Sequence, residues 1–311
     1  EWYSAVFIWK TSSPAPTFRG ALYDWYLATN GGYWGARAGL AGGSPVRVIL
    51  NLRDWTVHVV NMVPTAISAT SVEWSAYSLG GELLANGEIP IPDEHIDGNS
   101  VAHLEESFPW VDMSESFMSN QHELQNIVLY RLELSYVQHN DVGTTNTAKN
   151  IYYLTDPSIG SDDQAQSRFS LLGAIRKEAP SVNLNVRCQM STSGVECQLQ
   201  NADENTLAVM IKLALVKSLP NNPSKQKNPR ILPMLFSDNY LTMLPGETLH
   251  VNLSIESTEL LEQSILWKCS TDGFLGLMLS VDGWNIQKRE VQISCVEPSS
   301  GASLTESISS S

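Results

Sequence analysis

Along most of the chain, apolar and polar residues alternate with a period of two, as Val46, Val48 and Leu50 do. Successive side chains of a β-strand point to opposite faces of a sheet, so this alternation predicts strands with one buried face. Turns rich in Gly, Asn and Asp separate the strands, which is typical of a β-sandwich. The other alternating positions of the first half are Val57, Val59, Val72, Trp74, Ala76, Val128, Tyr130, Leu132 and Leu134, and the stretch 151–155 closes this group.

The same pattern returns in the second half, after a polar connector at 156–180. We therefore predict a first sandwich over 43–158 and a second over 176–297. A Ser-rich tail at 298–311 has few apolar residues to bury and is predicted to be disordered. The strands of the second sandwich are expected near 182–190, 195–201, 206–216, 231–236, 247–255, 264–269, 276–281 and 290–296.

Residues 1–42 follow a different pattern. The apolar run at 5–10 predicts a strand buried on both faces, and the spacing at 18–28 and 33–41 predicts two short helices separated by a glycine pair. A strand followed by a loop and a helix is one β/α unit, which cannot bury its own faces. We expect this unit to pack against a part of the protein outside this chain.

Composition excludes several classes of partner. The 311 residues carry a formal net charge of −14, which repels phosphate backbones, so no nucleic-acid partner is predicted. No apolar run reaches the roughly 20 residues that a membrane helix needs, so no membrane partner is predicted either. No cofactor is predicted. The compartment stays open between a secretory or vacuolar-lysosomal one and the cytoplasm.

The cysteines and acidic loops give no metal site. Cys188 and Cys197 flank a turn and would face each other across a hairpin, while Cys269 and Cys295 lie on further predicted strands. We expect four buried thiols, because Cys188 and Cys197 are in phase with core-facing apolar residues and no zinc spacing is present, while the disulfide state of the four cysteines stays open. The acidic loop at 93–99 has His95 where a calcium loop needs an oxygen ligand and Leu104 where it needs a glutamate. His95 and His103 likewise lack the spacing of a transition-metal pair.

Three blocks of sequence occur in a distinctive order. They are Val6-Phe7-Ile8-Trp9-Lys10-Thr11 with Phe18-Arg19-Gly20-Ala21-Leu22-Tyr23-Asp24 and Gly31-Gly32-Tyr33-Trp34-Gly35; then Asn150-Ile151-Tyr152-Tyr153-Leu154; and finally Ser237-Asp238-Asn239-Tyr240 with Leu244-Pro245-Gly246-Glu247 and Asp282-Gly283-Trp284-Asn285.

These blocks resemble glycoside hydrolase family 2, in the branch of β-mannosidases and exo-β-glucosaminidases, and are most similar to the plant-type mannosylglycoprotein endo-β-mannosidase pattern. The resemblance implies a mainly β fold in which two immunoglobulin-like β-sandwiches follow the last β/α unit of a catalytic (β/α)8 barrel, here residues 1–42. It implies a hydrolase acting on a β-linked mannose or glucosamine glycan. The partner is then a missing N-terminal catalytic region, in the same polypeptide or in a separate subunit.

The catalytic residues expected of such an enzyme are not found here. Retaining glycosidases use two carboxylates about 5–5.5 Å apart, and in this family the acid/base Glu follows an Asn. The sequence has no Asn-Glu dipeptide, and only Ser114-Glu115-Ser116-Phe117 faintly resembles the nucleophile context. We expect no catalytic residue in this chain and no activity from it alone.

Four residues are candidates for substrate contact. The resemblance places Trp9 near the end of the last barrel strand, where an indole would stack on a sugar face; the alternative is a Trp packed between barrel and helix. Asp238, Asn239 and Tyr240 follow an apolar strand, where polar residues more often close a turn. Their contribution to a substrate cleft is the alternative.

Two further features leave other functions open. Asn252-Leu253-Ser254 is a glycosylation sequon, and the alternation of its strand places Asn252 opposite the apolar face. Trp55 and Trp110 fit neither the core pattern nor the family blocks, which makes them candidates for a surface platform. The alternative function is therefore a non-catalytic tandem immunoglobulin-like protein that binds carbohydrate or has a structural role.

Overall fold

The computed structural model describes residues 11–13, 15, 21–39, 44–108, 127–138, 143–155, 173, 175–177, 179–191, 194–217, 230–232, 234–254 and 274–295. Within them the chain is mainly β, with the helix α1 at Gly31–Gly39 and two groups of strands. The strands predicted at 5–10 and 264–269, the tail at 298–311, Trp9 and Trp110 lie outside these ranges.

The first group of strands forms a sandwich of two antiparallel sheets. In one sheet β2 lies between β1 and β7; in the other the order is β5-β4-β8-β3-β6, with β9 also paired to β8. A 3₁₀ turn at Pro92–Glu94 joins β5 to β6. The strands are β1 (Val46–Asn51), β2 (Thr56–Asn61), β3 (Ile67–Ser68), β4 (Ser71–Ser78), β5 (Leu83–Pro90), β6 (His95–Ile96), β7 (Ser100–Ser107), β8 (Ile127–Gln138) and β9 (Thr145–Thr155).

The second group continues through the described residues in the order β13-β15-β11-β10-β17-β16-β12-β14. Every neighbouring pair is antiparallel except β10 and β17, which are parallel. The strands are β10 (Leu184–Ser191), β11 (Gly194–Asn201), β12 (Ala208–Lys217), β13 (Leu235–Phe236), β14 (Leu241–Met243), β15 (Thr248–Ser254), β16 (Phe274–Asp282) and β17 (Arg289–Ser294).

The alternation read from the sequence matches the observed burial. Along β1, Val46, Val48 and Leu50 are buried and the residues between them are only partly covered. In β11, Val195, Cys197 and Leu199 are buried while the intervening residues are exposed. The prediction of a mainly β chain with sandwich-like sheets is therefore confirmed. The strand predicted at 231–236 is shorter than expected, because only Leu235–Phe236 pairs with β15.

The helix predicted over 18–28 is wrong for its described part. Residues 21–30 form a tight turn in which Tyr23 pairs with Thr29 across the loop. The Asp24 carboxylate accepts hydrogen bonds from the backbone N–H of Tyr26 at 2.8 Å and of Ala28 at 2.9 Å. An aspartate that binds backbone donors locally competes with helix formation, and this competition prevails here.

The second predicted helix is confirmed as α1, which belongs structurally to the second sandwich. Trp34 is buried and joins the core formed by β10 to β17. Its indole Nε1 donates to Thr29 Oγ1 at 3.0 Å, so the helix and the preceding turn are tied together. The segment therefore finds part of its packing surface within this chain, in addition to the partner expected outside it.

Buried asparagines hold the loops of both sandwiches. Asn61 is almost fully buried and its Nδ2 donates to the carbonyls of Thr65 at 3.0 Å and Asp97 at 2.9 Å. Asn201 is fully buried and donates to Thr206 O at 2.7 Å and Leu244 O at 3.0 Å. Buried backbone groups need partners, and these amides supply them where no strand does.

Asn285, within the block 282–285, is another of these amides and makes three hydrogen bonds. Its Oδ1 accepts from Val209 N at 2.9 Å, and its Nδ2 donates to Pro180 O at 2.8 Å and Leu207 O at 2.7 Å. One side chain thereby joins three separate segments at the end of the second sandwich.

An ionic network crosses the junction between the two sandwiches. Arg131 on β8 binds Glu133 of the same strand at 2.7 Å and Glu247 of the second sandwich at 3.2 Å. Lys149 on β9 lies 3.4 Å from the same Glu133. Because Arg131 and Glu247 are mostly buried, the network fixes the relative position of the two sandwiches.

A hydrogen bond, a close backbone contact and an apolar cluster complete this junction. Tyr153 and Thr242 share a hydrogen bond of 2.5 Å between their hydroxyl groups. Gly81 lies so near the second sandwich that a Cβ there would be 2.5 Å from Asn205 O. A separate apolar cluster fills the space between: Leu79, Ile127, Leu129, Ile175, Leu207 and Val209.

The expectation of four buried thiols is wrong. Cys188 and Cys197 form a disulfide, and Cys295 is also disulfide-bonded. Cys188 and Cys197 are directly opposite each other in the β10–β11 register, with Cα atoms 4.2 Å apart. The hairpin therefore holds the two sulfur atoms together inside the core. The spacing of the two cysteines across a turn had left this pairing open.

We expect Asn285→Ala to destabilise the chain strongly. The substitution leaves Val209 N, Pro180 O and Leu207 O buried without partners, at roughly 1–3 kcal/mol for each group that cannot reach water. Urea denaturation of the wild type and the variant measures the change. The control is Asn185→Ala, since the exposed Asn185 makes a single long bond of 3.4 Å. Equal unfolding midpoints for the two variants would contradict the clamping role of Asn285.

We expect the double variant Cys188→Ala/Cys197→Ala to unfold about 2–3 kcal/mol more easily, because the disulfide restricts the unfolded chain. The bond itself is checked by alkylating the unfolded protein with and without prior reduction and locating the label by mass spectrometry. Labelling of both residues without reduction would show that the disulfide does not form.

Candidate functional site

A cleft of about 660 Å³ lies where α1 meets both sandwiches. Its walls come from α1, β1, β9 and the segment Ser237-Asp238. The polar and aromatic side chains that line it are Trp34, Arg37, Ser44, Arg47, Thr147, Lys149, Asn150, Tyr152, Ser237 and Asp238.

Arg37 and Asp238 form the end of the cleft nearest α1. Arg37 Nη1 donates to Ser237 O at 2.5 Å, and its guanidinium lies 5.1 Å from the centre of the Trp34 ring. Desolvation raises the pKa of the Asp238 carboxyl, and the charge of Arg37 opposes that effect. Asp238 is exposed on the cleft wall, and its Oδ1 accepts a hydrogen bond from the backbone N–H of Asn239 at 2.8 Å.

Arg47 of β1 also lines the cleft, and two of its donors are not used by any described residue. Its Nη1 donates to Ala38 O, while its Nε and Nη2 are buried without a hydrogen-bonding partner among the described residues. Burial lowers the pKa of Arg47, although a guanidinium stays charged in proteins. Two buried donors of a cation at a cleft wall can bind a carbonyl, hydroxyl or carboxylate oxygen that enters from outside.

The floor of the cleft is fixed by β9. Asn150 Nδ2 donates to Val48 O at 3.1 Å and to Tyr152 Oη at 2.8 Å, and Tyr152 Oη also accepts from Leu50 N at 3.0 Å. Burial raises the pKa of Tyr152. The block 150–154 of the sequence analysis therefore joins the two sheets of the first sandwich and makes the cleft rigid.

The candidates Asp238, Asn239 and Tyr240 lie where α1 is attached. Asn239 is buried, and its amide bonds to the Leu213 backbone: Oδ1 accepts from N at 2.8 Å and Nδ2 donates to O at 2.9 Å. The polar atoms of Asn239 are thus occupied inside the second sandwich, while Asp238 faces the cleft.

Tyr240 packs against the start of α1. Its backbone has φ = 56°, a left-handed conformation that few residues adopt, and its ring lies 3.5 Å from the position of a Cβ on Gly31. Lys212 lies 5.9 Å from the ring centre. A Cβ at position 31 would be in ordinary van der Waals contact with the ring, so the Tyr240 ring packs directly on the start of α1.

The turn before α1 presents three consecutive apolar side chains to solvent. Trp25, Tyr26 and Leu27 are 50%, 50% and 49% exposed, and we call them the 25–27 turn. The backbone bonds to Asp24 hold the turn in shape, and Arg230 pairs with Asp24 at 3.5 Å. The sequence-based prediction missed this surface because it assigned the residues to a helix. An Asp followed by apolar residues, which favours a local turn, was the available signal.

The remaining candidates lie apart from the cleft. Trp55 is half buried and packs against the core of the first sandwich, while Asn252 is exposed on β15. His95 pairs with Asp97 at 3.1 Å, whereas the ring of His103 makes an edge-on contact with the ring of His58 in the other sheet. No group of three or more potential metal ligands occurs among the described residues. In the same part of the chain no helix has the length and apolar character needed to cross a membrane.

Comparison with known proteins identifies relatives of the chain. Residues 163–268 match the exo-β-D-glucosaminidase Ig-fold domain. A mannosylglycoprotein endo-β-mannosidase from Lilium longiflorum is 23% identical over 88% of this chain and 31% of its own length. An exo-β-D-glucosaminidase from Arthroderma benhamiae is 20% identical over 93% of this chain and 28% of its own length.

A solved structure shares the fold. The exo-chitosanase CsxA from Amycolatopsis orientalis superposes with a TM-score of 0.65 at 18% identity, over 91% of this chain and 30% of that protein. The chain thus spans about 30% of the length of the relatives it matches. The chain is therefore similar over most of its length to about 30% of an endo-β-mannosidase and of an exo-β-D-glucosaminidase, it shares the fold of the corresponding part of an exo-chitosanase, and residues 163–268 match the exo-β-D-glucosaminidase Ig-fold domain.

Proposed function

We propose that the chain is the C-terminal, non-catalytic part of a retaining glycoside hydrolase that acts on β-linked mannose or glucosamine glycans. The observation that carries this proposal is the match of 88% of the chain to only 31% of the lily endo-β-mannosidase. Because most of this chain aligns with less than a third of the lily enzyme, we infer that it has the role of that part of the enzyme. The catalytic carboxylates would then belong to a preceding region, in the same polypeptide or in a separate subunit.

The carboxylates of the described residues support a structural role. A retaining mechanism needs two carboxylates about 5–5.5 Å apart and free to react with a sugar. Glu133 and Glu247 both flank Arg131, but their oxygens bind that guanidinium at the junction of the sandwiches. Within the described lining of the cleft, Asp238 is the single carboxylate. Neither place offers a pair suited to glycoside cleavage.

The surface around α1 supports a partner on that side of the chain. Consecutive exposed aromatic and aliphatic residues on an ordered turn are typical of an interaction surface. The 25–27 turn belongs to the same segment, 1–42, as the residues that resemble the last barrel strand. We propose that the preceding catalytic region packs on this turn and that the donors of Arg47 receive oxygen atoms from the same region.

Substrate contact from this chain would be limited to its barrel-like end. Trp9, outside the described residues, is proposed as a stacking platform for a sugar ring. The Asn239 amide is occupied by Leu213, so we propose that this signature contributes to a cleft through Asp238 and Tyr240 only.

We expect the isolated chain to release no product from p-nitrophenyl β-mannoside or β-glucosaminide, because the nucleophile and the acid/base are absent. A chimera tests the positive half of the proposal: the lily enzyme with its matched region replaced by this chain, compared with the lily enzyme cut off before that region. The truncated enzyme should be insoluble or inactive and the chimera should recover hydrolysis.

Turnover by the isolated chain would overturn the non-catalytic assignment. Isothermal titration of the isolated chain with manno- and gluco-oligosaccharides tests the alternative function, that of a non-catalytic carbohydrate-binding protein. Tight binding without any rescue in the chimera would favour an independent carbohydrate-binding protein.

We expect Trp25→Ser to lower the recovery of activity in the chimera at least tenfold while leaving the unfolding of the isolated chain unchanged. The reason is that the indole is exposed in this chain and would be buried only against the catalytic region. Leu83→Ser is the control, since Leu83 is 48% exposed on β5, at the edge of its sheet in the first sandwich. Equal recovery by both variants would exclude the 25–27 turn as the contact surface.

A further inference from the structure

The sequon Asn252-Leu253-Ser254 stands alone in the sequence. No other Asn-X-Ser/Thr triplet occurs in the 311 residues, apart from Asn222-Pro223-Ser224, whose proline prevents modification. A single triplet can arise by chance, so its place in the fold decides whether it can carry a sugar.

The strand β15 presents both acceptor residues to solvent. Val251 and Leu253 point into the core and are 1% exposed, whereas Asn252 and Ser254 are exposed on the opposite face. The backbone of Asn252 is fixed by Ser237: Asn252 N donates to Ser237 Oγ at 2.9 Å, and Ser237 N donates to Asn252 O at 2.7 Å. The strand therefore holds the side chain outward without using its amide.

The surrounding face can accommodate a sugar. Glu196 lies opposite Asn252 in the register, with His250 and Gln198 as neighbours on the same polar face. They border a depression of about 570 Å³ on the β10–β11–β17 surface. Hydroxyl groups of a first N-acetylglucosamine would find hydrogen-bonding partners there without displacing a core residue.

The disulfide supplies the second, independent observation. Cys197 lies opposite Val251, one position from Asn252, so the bond to Cys188 forms directly beneath the same surface. Disulfides form in oxidising compartments such as the endoplasmic reticulum, which is also where N-linked glycans are attached. Cys295 is disulfide-bonded as well, so disulfide formation is not confined to Cys188 and Cys197.

We propose that Asn252 carries an N-linked glycan and that the chain folds in the secretory pathway. A consequence concerns the assembly of the whole enzyme. A glycan on β15 keeps the polar face of β10, β11 and β15 open to solvent. The catalytic region must then approach from the side of α1 and the 25–27 turn.

The direct test is glycopeptide mass spectrometry of the protein purified from its source. Enzymatic removal of N-glycans converts a modified Asn252 to Asp, and we expect this change at residue 252. The full chain secreted from eukaryotic cells should likewise shift in electrophoretic mobility after deglycosylation. The shift should be lost in Asn252→Gln and Ser254→Ala and kept in Ser254→Thr, which retains the hydroxyl.

A second glycosylation site, introduced elsewhere in the chain, serves as the control. Val101→Thr turns the triplet Asn99-Ser100-Val101 into a second sequon, with Asn99 in a turn and Val101 46% exposed near the start of β7. A glycan on this variant at Asn99 but never on Asn252 would overturn the proposal by showing that the strand blocks modification. A secreted protein that carries no glycan at either site, in cells that modify their own glycoproteins, would overturn it as well. Alkylation of unreduced protein shows that each variant retains its disulfide.

Discussion

The structure depends on the satisfaction of buried backbone groups where strands end, and asparagine side chains provide it. A sandwich buries the ends of its strands beneath crossing loops, where no neighbouring strand can supply a hydrogen bond. Asn61, Asn201, Asn239 and Asn285 fill that need, each by bonding to backbone groups of another segment. An amide suits the role because it donates and accepts at once. The packing of the sandwich thus explains the asparagines in the sequence blocks 237–240 and 282–285.

Several close contacts join the two sandwiches. The Arg131–Glu247 ion pair, the Tyr153–Thr242 hydrogen bond and the close approach of Gly81 lie on one interface. The segment 21–39 is fixed to that unit through Trp34 and Tyr240. Such a rigid junction presents α1 and the 25–27 turn in a defined position. The proposed contact with a catalytic region would require such a defined position, since small displacements at a site reduce catalysis.

Much of the fold could be predicted because its signal is local. Alternation of buried and exposed positions located β1, β4, β8, β11, β12 and β15, since a strand with one buried face needs that period. The segment 18–28 shows the limit of this reasoning. Its apolar residues fit helical spacing, but the Asp24 carboxylate takes the backbone donors that a helix would use. A single polar side chain outweighed the spacing of the apolar ones.

The candidate site could be predicted only in part. The sequence by itself determined the fold class, the resemblance to a family 2 C-terminal region and the outward position of Asn252, because periodicity and motif order are written along the chain. Tertiary structure decided the pairing of Cys188 with Cys197, the use of the Asn239 amide by Leu213 and the exposure of Trp25. These outcomes depend on which distant segments meet. Contacts between segments far apart in sequence follow from the packing of the whole chain, which no local pattern specifies.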